Sequence, residues 1–201
     1  MVDARAAAGY PVQLTYPESN KVANWRALVH WLMAIPHLII LYVIGAVSGI
    51  ITFISWFIIV ITGKLPEGIA NFVIMYQRYT ARTIGFTWLL TEDYPPFSFD
   101  TVADDPGDHS IQLSVQAELG GRNRLTVFFR LILLIPLIIV GYVFILIATL
   151  FAFLAWFAVL FTGRYPEGMR NFVIGTLRYW ARVTVYASLL TDQYPPFSTS
   201  E

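Results

Sequence analysis

The sequence predicts an all-α membrane protein of two tandem repeats, each a short transmembrane helical hairpin followed by an interfacial amphipathic helix. Three observations predict it. No Asp, Glu, Lys or Arg occurs in the 37 residues 27–63 or the 33 residues 131–163, although the chain holds 13 basic and 13 acidic residues. Shifted by 100, the sequence overlays on itself, with 23 of 43 positions identical between Trp56–Ser98 and Trp156–Ser198. Each apolar run is also followed by a segment whose polar residues fall on one narrow helical stripe.

Composition supports this class. Apolar residues make up 57% of the 201, charged residues 13%, and the mean hydropathy is +0.62. A soluble domain carries about 25% charged residues. The formal net charge of zero excludes a strongly basic nucleic-acid binder. The absence of cysteine excludes disulfides, thiolate catalysis and cysteine-ligated metals.

The first repeat covers 1–99 and opens with an alternating stretch, Val12-Gln13-Leu14-Thr15-Tyr16, that reads as a strand. Its counterpart in the second repeat, 110–201, is Ile111-Gln112-Leu113-Ser114-Val115. A two-fold relating the repeats would pair the two as a small antiparallel ribbon.

The apolar runs come next. About 20 apolar residues span a bilayer as a helix, so each run is too long for one upright helix. Lys21 and Arg26 precede the first run and Lys64 follows it; Arg122, Arg124 and Arg130 precede the second, with Arg164 and Arg170 after it. Basic residues favour the cytoplasmic side. Basic flanks at both ends therefore predict a hairpin returning to the side it left, 27–63 and 131–163, with Gly45-Ala46-Val47-Ser48-Gly49 as a turn in the first. A shallow re-entrant hairpin is the alternative. Pro36 and Pro136 correspond. Ser48, Thr52 and Ser55 correspond to Ala148, Ala152 and Ala155, and their i, i+4, i+7 spacing lines one face with small residues, suited to close helix packing.

Residues 66–91 and 166–191 read as helices, begun by Pro-Glu-Gly and stopped by Tyr-Pro-Pro. At 100° per residue, Glu67, Asn71, Arg78 and Arg82 fall within about 60°, with aromatics opposite; Glu167, Asn171, Arg178 and Arg182 repeat the stripe. Arginine is costly against hydrocarbon, so each helix is expected along the cytoplasmic interface. Two uses of the stripe stay open: a Glu–Arg lattice joining the repeats, or arginines meeting lipid phosphates. Tyr94-Pro95-Pro96-Phe97 and its copy read as extended loops, and 100–109 as an acidic, solvated linker.

His30 and His37 lie seven apart on one face of the first run. Intramembrane histidines invite a cofactor or proton-relay reading, but their counterparts are Arg130 and Leu137. An interfacial His30 and a hydrogen-bonded His37 are expected, with no cofactor and no metal. No phosphate loop, zinc signature or nucleophile elbow occurs.

The strand, the Ile-Pro pair, Thr-Gly-(Lys/Arg)-x-Pro-Glu-Gly, Arg-Tyr…Ala-Arg and Leu-Thr-x-x-Tyr-Pro-Pro-Phe together resemble a bacterial membrane family filed as domain of unknown function 4389, once per half. The resemblance implies an integral inner-membrane protein and brings no activity, cofactor or site residue. The expectation is a multi-pass inner-membrane protein with cytoplasmic termini, contacting lipids and other membrane subunits or itself, but no nucleic acid. A non-enzymatic scaffold or accessory subunit leads, before a transporter or channel subunit for lipid or a small solute, and before a curvature-inducing hairpin protein.

Overall fold

A computed structural model describes residues 10–200. Strand β1 (Val12–Thr15) is followed by the helices α1 (Arg26–Thr62) and α2 (Glu67–Thr87). The second repeat supplies β2 (Gln112–Val115), a single-turn α3 (Arg124–Phe128), α4 (Arg130–Thr162) and α5 (Glu167–Ala187).

The apolar runs are not hairpins. Each is one unbroken helix, of 37 residues in α1 and 33 in α4. Nothing in Gly45–Gly49 opposes helix: Ala and Ser continue it, and a chain reversal would strand backbone groups in an apolar setting. Gly45 has a packing role instead, since a Cβ there would lie 3.0 Å from the Tyr76 hydroxyl of α2. Pro36 and Pro136 sit inside their helices. Gly63 and Gly163, at φ 72° and 65°, end the helices in the left-handed conformation that glycine adopts without strain.

After Gly63 the chain turns back, and α2 packs antiparallel on α1. His30 stacks on Phe86 at 4.0 Å and His37 lies beside Tyr79. α5 packs on α4 likewise, with the Tyr179 hydroxyl donating to Leu137 O at 2.7 Å and Trp180 Nε1 to Gly141 O. Both shorter helices stop before residue 91 or 191. Leu89 and Leu189 adopt φ 60° and 64°, and Leu90 and Leu190 donate back to the carbonyls of Gly85 and Val185. A left-handed leucine is uncommon; burial of its side chain at the same place in both repeats holds it there.

The repeats close on each other reciprocally. Val22 N donates to Gly163 O, and Arg122 N to Gly63 O. Trp156 Nε1 donates to Ala27 O at 2.6 Å, and Trp56 Nε1 to Val127 O at 3.0 Å. The start of α1 thus meets the end of α4, and the end of α1 meets α3. β1 and β2 pair antiparallel, Val12 opposite Val115, as one ribbon with one strand from each repeat. The ribbon rests on α2 and α5: its residues Leu14 and Leu113 join the buried core shared by both repeats.

Candidate functional site

The largest surface feature is apolar. On α1, Leu28, Trp31, Ile39, Tyr42, Ile50, Phe53 and Ile61 are exposed, and on α4 Leu131, Ile139, Leu146, Phe153 and Phe161. These positions fall on one side of each helix from end to end, while α2 or α5 covers the other. Both helices are long and apolar enough to cross a membrane, and only 17% and 22% of their most apolar stretches are buried. They are therefore not core helices of the kind a soluble fold encloses. A continuous apolar surface of this extent marks an interaction face.

The opposite side of the molecule is polar and held by buried charge. Arg78 and Arg82 of α2 are buried and turn away from the apolar face. Arg78 Nε lies 3.3 Å from Asp105, and Arg82 Nη2 lies 2.8 Å from both Asp105 and Asp108. Arg78 also donates to the carbonyls of Val102, Ala103 and Asp104. The acidic segment after the first repeat is thus strapped onto α2, not freely solvated. In the second repeat, Arg178 Nε donates to Leu14 O, Arg182 to the carbonyls of Ser198 and Ser200, and Arg170 to Pro17 O.

Glu67 and Glu167 are exposed and form no ion pair among the described residues; Glu167 meets only Asn20, at 3.5 Å. The Glu–Arg lattice is therefore absent. Of the arginines of the stripe, Arg78, Arg82 and Arg182 are buried against local carboxylates or carbonyls, and Arg178 is half-buried with its Nε on Leu14 O. Asn71 and Asn171 share the partly exposed first turns with the glutamates. The helices are not laid with an aromatic face outward: α2 and α5 form a middle layer, buried on the side of α1 or α4 and on the side of the ribbon.

Among the small residues, Ser48, Ser55, Ala148 and Ala155 are buried, and Thr52 and Ala152 are half-buried. The stripe faces inward. Ser55 satisfies its hydroxyl on Ile51 O at 2.7 Å. His30 places Nδ1 3.0 Å from Phe86 O, and His37 places Nδ1 2.6 Å from the Tyr79 hydroxyl. His37 also stacks on Phe97 at 4.3 Å and meets Tyr94 edge-on at 4.7 Å. The Tyr-Pro-Pro-Phe loop thus folds back over α1, with the Tyr94 hydroxyl donating to Met33 O and its copy Tyr194 to Leu133 O. Among the described residues no three of His, Cys, Asp and Glu gather as metal ligands.

Sequence reasoning missed the acid that follows Leu-Leu-Thr in each repeat. Glu92 accepts from Ala23 N at 2.5 Å, and Asp192 from Asn123 N at 2.8 Å. Asp192 also binds Arg122 at 2.6 Å and Arg130 at 2.5 Å, and the Arg130 guanidinium lies 3.8 Å over the Tyr186 ring. The signal was available, since an acid stands at this position in both halves of the self-overlay.

No curated protein and no solved structure matches the chain. One family does, the one described as Domain of unknown function (DUF4389), over residues 24–98 and again over 124–199. These are the two stretches that fold as helical pairs closing on one another, and the chain belongs to that family as a tandem of two copies.

Proposed function

We propose that the protein is a non-enzymatic membrane module that lays α1 and α4 in the plane of one leaflet and thereby organises and bends the lipid around it. The observation that carries this reading is the height of the acidic strap. Arg78 lies at the middle of α2, and its neighbours Tyr79 and Tyr76 meet His37 and Gly45 near the middle of α1. The strap at 102–108, with exposed Asp104 and Asp108, is therefore level with mid-length α1. Upright helices would carry these carboxylates and irregular backbone into hydrocarbon, at several kcal/mol per charge.

Length and flanks agree. At 1.5 Å per residue the long helices measure about 55 and 50 Å, against a hydrocarbon core of about 30 Å. Lying flat, they set Lys21, Lys64, Arg124 and Arg164, all exposed, at headgroup level together. Trp25 and Trp31, both 57% exposed, suit the same depth. Two such helices sunk in one leaflet widen it relative to the other, which favours curvature.

Because the chain has no cysteine, single cysteines test the seat cleanly. Lys21→Cys, Asp104→Cys and Lys64→Cys are placed in sealed vesicles and treated with a membrane-impermeant maleimide. All three are expected to react from the same side. Labelling of positions 21 and 64 from opposite sides, or protection of 104, would replace this reading with an upright span. Purified protein at high density is further expected to draw vesicles into tubules.

A further inference from the structure

Between α2 and α5, beneath the ribbon, lies a cleft of about 330 Å³, within the usual range for small-ligand sites. Ile84, Trp88, Leu177, Trp180 and Ala181 are among the apolar residues of its wall, with residues of both repeats facing each other across it. Its polar neighbours are spent on one another: Thr184 donates to Gln77 Oε1, and Gln77 Nε2 to Ser188 Oγ, each at 3.0 Å. Thr80 donates to Tyr76 O. The Tyr16 ring completes the wall, while its hydroxyl is enclosed and does not open on the cleft.

The cleft also touches α4. Ile145 reaches its wall, and the adjacent Leu146 and nearby Tyr142 are exposed on the apolar face. A hydrocarbon chain leaving the lipid layer beside α4 would thus meet apolar surface continuously.

We propose that the cleft holds one acyl chain of a membrane lipid. This rests on the in-plane seat, which brings the cleft within reach of the leaflet. The wall offers the chain dry apolar contact. Water alone would fill the cleft poorly, since few of its lining groups have a hydrogen bond to spare.

The test uses the full chain in phosphatidylcholine–phosphatidylglycerol vesicles doped with a diazirine-bearing palmitic acid. After irradiation, adducts are mapped by peptide mass spectrometry and vesicle binding is followed by flotation. Adducts are expected at Ile84, Leu177 and Ala181 as well as on the exposed faces of α1 and α4. Ala81→Leu with Ala181→Leu fills the cleft, and should cut the wall adducts at least fivefold while flotation is unchanged; Ala181→Val serves if the double variant does not fold. Adducts confined to α1 and α4 on protein that still floats would overturn the acyl site and leave the leaflet reading standing. Wall adducts that persist through filling would also overturn it. Failure of the wild-type protein to float would bring down both.

Discussion

The same corner is built twice in this molecule, with different chemistry. In the first repeat, His30 stacks on Phe86 and Glu92 anchors Ala23 N, with Arg26 only loosely paired at 3.9 Å and the Glu92 side chain 41% exposed. In the second, Arg130 lies over Tyr186 and shares Asp192 with Arg122, all three charges largely out of water. The backbone role of the acid, holding the residue that leads into the long helix, is identical. What differs is whether the ring beside it stacks on an imidazole or carries a guanidinium. The fold therefore requires an acid at this position and a flat cationic or aromatic group above residue 86 or 186, but not one particular pair. The second corner has more to lose, because a buried charge stripped of its partner costs more than an exposed one.

Asp192→Asn breaks the comparison most severely. It leaves Arg122 and Arg130 facing a neutral group, and about 3–5 kcal/mol of stability should go, read as a large drop in the thermal midpoint in mild detergent. A second asymmetry lies at Gly85, where the other repeat has Val185. A Cβ on Gly85 would fall 2.2 Å from Ile111 Cδ1 and 3.1 Å from Tyr16 Cε1. Gly85→Ala should therefore cost about 1–3 kcal/mol, and Ile111→Val in the same chain should recover part of it.

Acid sharpens the comparison further. Burial alone would raise the Asp192 carboxyl, but hydrogen bonds from Arg122 and Asn123 N, with the Arg122 and Arg130 charges, hold it below the usual carboxylate range. Its contribution is present above the unfolded value, about 3.9, and is lost as pH falls through the folded value. His109 titrates earlier. Burial lowers its pKa, against the opposing pull of its backbone contact with Asp93, and its Nδ1 accepts from Ile111 N at 2.9 Å. The unfolded chain takes up that proton first, so stability should be full above about pH 6.5 and decline below it. His109→Gln should lessen the fall in thermal midpoint between pH 7 and pH 5 without changing the loss at lower pH to which Asp192 contributes. The smallest effect is expected from Glu92→Gln, under about 1 kcal/mol, as befits a half-exposed pair. A loss equal to that of Asp192→Asn would show that the two corners are energetically alike.

Much of the architecture is legible in the residues. The doubling, the two greasy stretches, the ribbon and the inward small face all follow from identities and periodicity. The hairpins do not, because glycine and serine read as turn formers until Tyr76 is seen to need the space at Gly45. The arginine stripe is visible as a face, yet in the first repeat its partners sit 23–27 residues further along in an irregular strap, where no helical period points. Helices α2 and α5 end earlier than Pro95 and Pro195 suggest, since a left-handed leucine is a stop signal that sequence seldom advertises.

The crossed indoles carry a consequence for relatives. Trp56 and Trp156 each grip the opposite repeat, and each repeat contributes one strand to the ribbon. Neither copy owns a complete edge, cap or clasp. A gene carrying the motif once would yield a polypeptide with all these bonds open, and its natural complement is a twin molecule joined about the same axis. Fusion of such twins into one strand of coding sequence would then have freed the two corners to diverge, one towards stacked rings and the other towards buried charge.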